Sequence, residues 1–264
     1  MNDISLYEKI PEEDFPIRIL MTENSVCEFY LHWHEHTEIQ YIFEGSAKLH
    51  YGDNAAVVGE KECCIINGNE LHEGSGGLCT RGVIILRPSF FENNHIIFEN
   101  IVKDSVVSEL IENIFKEFKT KDTSSALAIK GYTYLLLTYL IRNYSAQTLT
   151  EATYRRHFEK LSKINKAVKY ISENYSENIT TEMLADMVHM SEGHFCHIFK
   201  EVTGKTAKEY LNEIRISKAE LLLCETEMTV TEAAFCCGFS DANYFARIFK
   251  KYKGRTPSSV RNGK

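Results

Sequence analysis

Residues 195–206 read FCHIFKEVTGKT and residues 245–256 read FARIFKKYKGRT, so that six identities recur at a spacing of 50 residues. Agreement at this many positions indicates a duplicated supersecondary unit. In the first copy the apolar residues Phe195, Ile198 and Phe199 fall at i, i+3 and i+4, a spacing that is typical of an amphipathic helix. The sequence therefore predicts two copies of one helical unit near the end of the chain.

A shorter helix and a tight turn precede each of these helices. In the second copy, Thr229 and Glu232 form a capping-box pattern, Gly238 marks the turn, and Ser240 is placed to cap the following helix. Ser191 has the capping position in the first copy. Two helices joined by a tight turn describe a helix-turn-helix, in which the second helix enters the major groove of DNA.

The face of each second helix opposite its apolar stripe carries the candidate DNA-contacting residues. Asn243 and Arg247 are of the types that form bidentate hydrogen bonds with adenine and guanine edges. Lysines such as Lys200 and Lys250 suit phosphates, which position a protein without reading the base sequence. The full candidate set is Gly193, Cys196, His197, Lys200, Ala242, Asn243, Tyr244, Arg247, Lys250 and Lys251.

The charge distribution supports a phosphate-binding end. The net charge of the 264 residues is −7, which taken alone argues against nucleic acid. However, residues 1–159 carry 14 basic and 24 acidic side chains, whereas residues 240–264 carry 7 basic and 1 acidic. An acidic body with a basic tail is an asymmetry that suggests contact with phosphates. A long helix predicted from residue 206 onward joins the two units and could present them to successive major-groove turns, about 34 Å apart.

Residues 179–261 resemble the DNA-binding domain of the AraC/XylS family of bacterial transcription regulators. The resemblance rests on the string GFSDANYFARIFK at 238–250 and on Gly254, Thr256 and Pro257. It implies a tandem helix-turn-helix domain that binds double-stranded promoter DNA, acts with RNA polymerase, usually as an activator, and belongs to a homodimer. The first copy departs from the family pattern, because Gly193, Cys196 and His197 stand where bulkier polar residues or arginine are frequent. We therefore expect it to contribute mainly shape and phosphate contacts.

The front of the chain has the pattern of an antiparallel β-structure. Short β-branched or aromatic runs at 27–32, 38–43, 47–51, 56–58, 63–66 and 81–86 are separated by turn signals at 44–46, 52–54 and 74–77. This spacing is typical of a sandwich or small barrel. From about residue 102 the apolar period changes to that of two amphipathic helices, which we expect to be antiparallel.

A histidine-rich segment follows the first of these strands. His32, His34, Glu38 and Gly45 have the spacing H-x-H-x(3)-E-x(6)-G, which resembles the first cupin motif, and His72 stands where the second motif supplies its histidine. In metal-binding cupins these positions hold Fe, Mn, Ni or Zn. AraC-type regulators often carry a similar string without a metal, and there the residues line an effector pocket or are structural.

The three roles stay open at this point. We favour an effector pocket over a metal site at His32, His34, Glu38 and His72, and we therefore expect no cofactor. The expected effector is a small polar molecule, for example a sugar. Its candidate contacts are His32, His34, His36, Glu38, Tyr41 and His72.

These patterns predict an α+β protein with four parts. They are a cupin-like antiparallel β-barrel at 1–100, a dimerising helical hairpin at 101–145, a linker at 146–160, and an all-α tandem helix-turn-helix domain at 161–264. No apolar run approaches the roughly 20 residues that span a bilayer, and the acidic start of the chain is unlike a signal peptide. The eight cysteines form no C-x-x-C pair, which is typical of reduced thiols, so we expect a cytoplasmic protein.

The leading functional prediction is a ligand-responsive, sequence-specific transcription activator. The alternative is a metal-dependent cupin enzyme with an appended helical domain, and a third class is a scaffolding protein without a ligand. The sequence has no Ser/His/Asp order, no phosphate-binding glycine loop and no H-E-x-x-H zinc motif. We therefore predict that the chain is not an enzyme.

Overall fold

The computed structural model describes residues 6–11, 15–91 and 95–262. The chain divides into two compact units, one of Leu6–Glu159 and one that contains Lys160–Lys264. Within the described ranges, every helix is too short or too polar to cross a membrane. The predicted α+β class is confirmed, with antiparallel strands in the first unit and helices alone in the second.

Within the residues that the structure describes, the first unit contains eight strands. They are β1 Ile17–His32, β2 Thr37–Tyr51, β3 Asn54–Gly59, β4 Cys63–Ile66, β5 His72–Leu86, β6 His95–Phe98, β7 Ile101–Val102 and β8 Ser145–Leu149. The main sheet has the order β1-β5-β2-β4-β7, with β3 paired to β2, and β6 and β8 form a separate antiparallel pair.

Strands β2 and β5 continue through two of the predicted turns. The predictions of turns at 44–46 and 74–77 are wrong. At these positions the register between the two strands shifts, and the strands continue. A side chain at Gly45 (φ 80°) would lie 2.2 Å from the carbonyl oxygen of Leu78, and one at Gly77 (φ 97°) would lie 2.2 Å from that of Ser46. The glycines therefore allow two bent strands to approach closely.

The two faces of the main sheet bury different cores, because side chains alternate along a strand. On one face, Ile39 and Tyr41 of β2 pack with Ile111 and Phe115. The other face has its own buried cluster, which includes Ile42, Leu49, Val58, Cys64 and Cys27. The first face is covered by the predicted helical hairpin, which is formed by α1 Ser105–Thr120 and α2 Ser125–Asn143.

The segment at 146–160 has more regular structure than predicted. It forms most of β8 and the start of a helix, α3 Glu151–Glu173. Pairing of β8 with β6 provides hydrogen-bond partners for the backbone of this polar stretch, whose composition does not predict a strand. The role of the segment as a linker between two domains stays a prediction.

The second unit contains the predicted helix pairs. After α3 come α4 Thr181–Met187, α5 Glu192–Thr203, α6 Ala207–Glu225, α7 Val230–Cys236, α8 Ala242–Lys253 and α9 Pro257–Asn262. Each copy of the repeat is thus a short helix followed by a longer one, α4 with α5 and α7 with α8, and α6 joins them. Phe195, Phe199, Phe245 and Phe249 are fully buried, which explains why these four positions recur.

Caps and turns fix where these helices begin. The predicted capping box of Thr229 and Glu232 is present, and Gly238 has the positive φ of 83° expected of the turn. The prediction that Ser240 caps α8 is wrong. The cap is Asp241, whose carboxylate accepts a hydrogen bond of 2.6 Å from the backbone N–H of Tyr244. Aspartate caps a helix as well as serine does, and it also favours the positive end of the helix dipole.

Candidate functional site

Helix α8 exposes the side chains that the sequence predicted to contact DNA. Phe245 and Phe249 anchor one face of the helix in the core, and Asn243, Arg247 and Lys250 are exposed on the other. The Arg247 guanidinium lies 5.4 Å from the ring centre of Tyr244. This contact orients the arginine in the middle of the helix without using its hydrogen-bond donors.

The basic end of α8 contains two kinds of cation. Lys253 and Arg255 both bind the carboxylate of Glu220 on α6, at 2.6 and 3.0 Å, so they brace the fold. Lys250 and Lys251 are exposed and take part in no ion pair within the described part of the chain. They are the cations of this helix that remain available for phosphates.

Helix α5 presents the corresponding face with different chemistry. Gly193, Cys196, His197 and Lys200 are all exposed. At the repeat spacing His197 takes the position of Arg247, and Gly193 that of Asn243. A histidine and a glycine offer fewer donors to base edges than an arginine and an asparagine.

Two predicted contacts of α8 are less accessible. Ala242 and Tyr244 are half-buried, as is Ala246, which stands where Cys196 does in the first copy. The hydroxyl of Tyr244 accepts a hydrogen bond of 3.4 Å from Asn212 on α6, and its ring packs on the core around Phe239. Tyr244 therefore supports the helix as well as bordering its exposed face.

In the first unit, the structure brings together four of the predicted polar residues. His32 ends β1, His34 follows it, Glu38 lies on β2, and His72 begins β5. The ring centres of His32 and His72 are 4.1 Å apart, and those of His34 and His72 are 5.1 Å apart. We call these four residues the histidine cluster. His34, Glu38 and His72 are buried, and only His32 is partly exposed.

The backbone orients all three imidazole rings in the same way. Nδ1 of His32 lies 2.8 Å from the carbonyl oxygen of Tyr30, Nδ1 of His34 lies 3.1 Å from that of His36, and Nδ1 of His72 lies 2.9 Å from that of Glu70. A carbonyl oxygen only accepts hydrogen bonds, so Nδ1 carries the proton in each neutral ring. The free lone pair is then on Nε2.

The Glu38 carboxylate has partners on both of its oxygens. Oε2 lies 3.2 Å from Nε2 of His34 and 3.9 Å from Nε2 of His72. Oε1 accepts a hydrogen bond of 2.6 Å from Gln40, whose own carbonyl oxygen accepts one of 2.9 Å from Arg81. Burial is the largest single influence on Glu38 and opposes its charged form, but the contact with His34 and the electrostatic attraction of His72, His34 and His32 together outweigh burial and lower the pKa to about 2. The carboxylate is therefore ionised.

In the histidine cluster, His72 has a buried ring nitrogen that lacks a hydrogen-bond partner. Burial lowers its pKa to about 3, so the ring is neutral. Its Nε2 is buried and has no hydrogen-bond partner. A buried nitrogen lone pair without a partner is uncommon in folded proteins and calls for an explanation.

Three residues around the histidine cluster were not predicted from the sequence. Glu8 is half exposed, and its Oε2 lies 3.0 Å from Nε2 of His32. It comes from a segment far from any motif, and no sequence signal marks it. Gln40 could have been found, because it follows Glu38 by two residues and so shares its face of β2. Arg81 joins through strand pairing alone.

Two predicted contacts lie outside the histidine cluster. Tyr41 is on the opposite face of β2, where its hydroxyl donates a hydrogen bond of 2.8 Å to Glu112 on α1. Burial and this hydrogen bond raise the pKa of Tyr41. His36 is buried with its ring centre 5.7 Å from that of His34, and burial lowers its pKa to about 4. His36 is a neutral neighbour of the cluster, whereas Tyr41 cannot reach it.

The donor set of the histidine cluster fits a transition-metal ion. One ligand atom from each of His32, His34 and His72 lies within 4.8 Å of the others, the sole such group of histidine, cysteine or acidic side chains within the described ranges. Imidazole nitrogens with one carboxylate suit divalent ions such as Zn²⁺, Fe²⁺ or Ni²⁺. The three Nδ1–carbonyl hydrogen bonds are the outer-shell contacts that orient histidine ligands.

Two family models match this chain. The model of an AraC-like ligand binding domain matches residues 24–137, and the model of a helix-turn-helix domain matches residues 184–263. The first contains the histidine cluster, and the second contains both α5 and α8.

Curated relatives match over most of the chain. An HTH-type transcriptional activator RhaS from Shigella sonnei is 24% identical over 99% of this chain and 92% of the relative. A second RhaS, from an Enterobacter species, is 24% identical over 88% of this chain and 87% of the relative. Among solved structures, the C-terminal domain of the two-component response regulator yesN from Fusobacterium nucleatum is 36% identical, over 36% of this chain and 94% of that chain, with a TM-score of 0.35.

Proposed function

We propose that this chain, a DNA-binding transcriptional regulator of the AraC family, activates transcription from promoters that it reads at two successive major-groove segments, in response to a small polar ligand. Matches to a ligand binding domain and a helix-turn-helix domain favour a regulator over a metal-dependent enzyme with appended helices. The relatives named as activators support activation over repression.

The observation that carries the DNA-binding role is the repetition of one helix with a buried face and an exposed polar face. In α8, Asn243 and Arg247 are placed for base edges, and Lys250 and Lys251 for phosphates. In α5, Lys200 has the same position as Lys250, while His197 is the main candidate for a base contact. The remaining candidates would shape the surface and let the helices approach the DNA closely. They are Gly193, Cys196, Ala242 and the edge of Tyr244.

The spacing of the two units suits successive turns of one DNA face. Helix α6 has 19 residues and joins the two pairs, so it is about 28 Å long at 1.5 Å per residue. This is close to the roughly 34 Å between major-groove segments on the same face of DNA. We therefore expect an asymmetric site with two elements, of which the one read by α8 is the more specific.

The ligand-responsive part of the proposal belongs to the first unit. The histidine cluster and His36 form a buried polar site in the sheet, and buried polar groups of this kind orient ligands. A small polar molecule such as a sugar is one candidate class. Tyr41, which lies on the other face, is not included among the proposed contacts.

Helix α2 supports a homodimer. Its exposed apolar side chains include Leu127, Tyr134 and Ile141, which are 74%, 57% and 40% exposed and follow each other at seven-residue intervals. Leu135 is a further exposed member of the stripe at 58%. A heptad repeat of this kind is the pattern by which two helices pair. Dimers on promoter DNA in the cytoplasm, acting with RNA polymerase, complete the proposal.

The experiment that tests the proposed function is selection of DNA duplexes from a random pool by the full-length chain at physiological salt. Enrichment of a site with two elements about one helical turn apart would support it. Enrichment of a single element would mean that only one unit reads bases, and we expect that unit to be α7 with α8. No enrichment, with or without added candidate ligands, would contradict the proposal.

A further inference from the structure

We infer that the small polar ligand of the first unit is a hydroxy acid, such as a sugar acid, whose carboxylate binds the Arg81 guanidinium and whose hydroxyl group donates to His72. This inference rests on the proposed function, since it names the chemical class of the effector. It is carried by two buried nitrogen atoms that have no hydrogen-bond partner, Nε of Arg81 and Nε2 of His72. The first is a donor on a cation, and the second is an acceptor.

Arg81, on β5, is a half-buried cation that takes part in no ion pair within the described part of the chain. Its Nη1 contacts two neutral groups, since it lies 2.9 Å from the side-chain oxygen of Gln40 and 3.3 Å from Sγ of Cys27. Burial raises the pKa of Cys27, so this thiol is uncharged. Nε and Nη2 meet no acceptor among the described residues, and together they form the edge of a guanidinium that holds a carboxylate through two parallel hydrogen bonds.

Gln40 keeps the positive charge of Arg81 apart from the ionised Glu38. Its amide nitrogen donates a hydrogen bond of 2.6 Å to Oε1 of Glu38, while its oxygen accepts the one from Arg81. The other oxygen of Glu38 contacts His34 at 3.2 Å. The two charges are thus joined through an amide and not paired directly. A half-buried cation without a direct counterion is stabilised by an anionic ligand on its free edge.

His72 provides the complementary acceptor. Because its Nδ1 lies 2.9 Å from the carbonyl oxygen of Glu70, Nε2 carries the lone pair that a ligand hydroxyl can reach. The ring centre of Phe29 lies 5.1 Å from Cζ of Arg81 and 6.0 Å from the ring centre of His72, so the two groups are at most about 11 Å apart, the sum of these distances. One small molecule with a carboxylate and a hydroxyl group can therefore reach both.

The free edge of Arg81 discriminates between a sugar acid and the corresponding neutral sugar. A neutral hydroxyl group can accept a hydrogen bond from this edge, but it leaves the positive charge without a counterion. A carboxylate satisfies both donors and the charge, and such charge-assisted hydrogen bonds are roughly twice as strong as neutral ones. We therefore expect an acid to bind at least about 10-fold more tightly than its neutral counterpart.

The test is isothermal titration calorimetry of the full-length protein with pairs of ligands that differ in the carboxylate. The pairs are D-glucuronate with D-glucose, D-galacturonate with D-galactose, D-gluconate with D-glucitol, and lactate with 1,2-propanediol. We expect one acid or more to bind at one molecule per chain, and its neutral counterpart to bind at least about 10-fold more weakly. This comparison uses the wild-type chain alone, so it does not depend on the folding of a variant.

Substitution of Arg81 then locates the carboxylate. Arg81→Gln should weaken binding of the acid at least about 10-fold and remove the preference over the neutral counterpart, whereas Arg81→Lys, which keeps the charge without the planar fork, should lie between the two. The matched control is Lys48→Gln, because Lys48 is an exposed cation on β2, and it should bind the acid as the wild type does. Equal losses in Arg81→Gln and Lys48→Gln would overturn the inference, because the effect would then be one of overall charge.

Duplex selection with and without the bound acid separates this inference from the proposed function. DNA affinity that changes with the acid in the wild type and in Lys48→Gln, but not in Arg81→Gln, would support the inference. Preference for the neutral member of every pair, or binding of none of the acids at millimolar concentration, would overturn it and leave the proposed function standing if the chain selects DNA. Failure to select DNA under any condition removes the proposed function itself.

Discussion

Arg247 is the side chain on which we expect base recognition to depend most, because it is exposed in the middle of α8 and stacks on Tyr244. We predict that Arg247→Ala lowers affinity for the selected site by about 1–3 kcal/mol and relaxes the preference at one base pair. The control is Arg247→Lys, which keeps the charge but loses the planar fork of donors. It should retain nonspecific affinity and still lose the base preference. An unchanged preference in both variants, measured by competition among single-base mutants of the site, would show that another face reads DNA.

Lys250 differs from Arg247 in what it contributes. It is exposed one turn further along α8 and has no ion pair within the part of the chain that the structure describes. We predict that Lys250→Ala weakens binding to all duplexes by the same factor and reduces the slope of log K against log salt by about one. The matched control is Lys253→Ala, because Lys253 binds Glu220 and its loss should leave the salt slope unchanged. A base-dependent loss in Lys250→Ala would contradict the phosphate assignment.

Individual residues were predictable where a periodic pattern placed them, and not elsewhere. The repeat located Asn243 and Arg247 on an exposed face, because the apolar stripe leaves only one face free. Period-two alternation in β2 contains the information that separates Tyr41 from Glu38, although the sequence prediction grouped them. Glu8 reaches His32 through the fold alone, so no local pattern could have assigned it to the histidine cluster.

The turn of the second helix-turn-helix element leaves no room for a side chain at Gly238. Gly238 has a φ of 83°, and a methyl group there would lie 2.6 Å from the carbonyl oxygen of Ser176 and 2.9 Å from the Arg215 guanidinium. We predict that Gly238→Ala lowers the free energy of unfolding of the second unit by at least about 1 kcal/mol. The matched control is Gly193→Ala, which has open space around it in helix α5 and should stabilise the protein by up to about 1 kcal/mol. Urea unfolding monitored by circular dichroism measures both, and equal effects would contradict the argument.

Helix α2 is the element that should mediate self-association. We predict that Leu127→Glu combined with Leu135→Glu shifts the protein from dimer to monomer, because both side chains belong to the exposed stripe and charges across an apolar seam are costly. Asn143→Glu is the control on the same helix, because Asn143 is exposed on a different face from the stripe, and it should leave the dimer intact. Analytical ultracentrifugation across a concentration series measures the change. A dimer that resists the double substitution would place the interface on another element.

At the level of elements, helices were easier to predict than strands. Capping boxes such as Thr229 with Glu232 and the left-handed turn at Gly238 are local signals, so the boundaries of α7 and its turn followed from the sequence. Strand ends depend on pairing, and Gly45 and Gly77 marked bends rather than ends because β2 and β5 each had a partner on both sides of the bend. The β6–β8 pair joins residues about 50 positions apart, and no short-range pattern signals it.

For the whole molecule, the uneven charge decides how binding responds to salt. The acidic first part of the chain repels DNA at long range, so electrostatic attraction must come from the basic end of the second unit. The cations assigned to phosphates are Lys200, Lys250 and Lys251, and each phosphate contact contributes about 0.9 to the salt slope. We therefore predict a slope of about −3 for one chain and about −5 for a dimer on two sites.

The predicted salt slope differs from the one that the net charge of −7 alone would give. A net negative charge by itself would make the affinity for DNA insensitive to salt, or would let added salt increase it. Measurement of the equilibrium constant for the selected duplex between low and physiological salt gives the slope directly. Charge-reducing substitutions in the first part of the chain, such as Glu28→Gln on β1, should raise the affinity slightly at low salt and so make the slope slightly steeper. A slope near zero would mean that the exposed lysines do not meet phosphates, and that the two recognition helices approach DNA in another orientation.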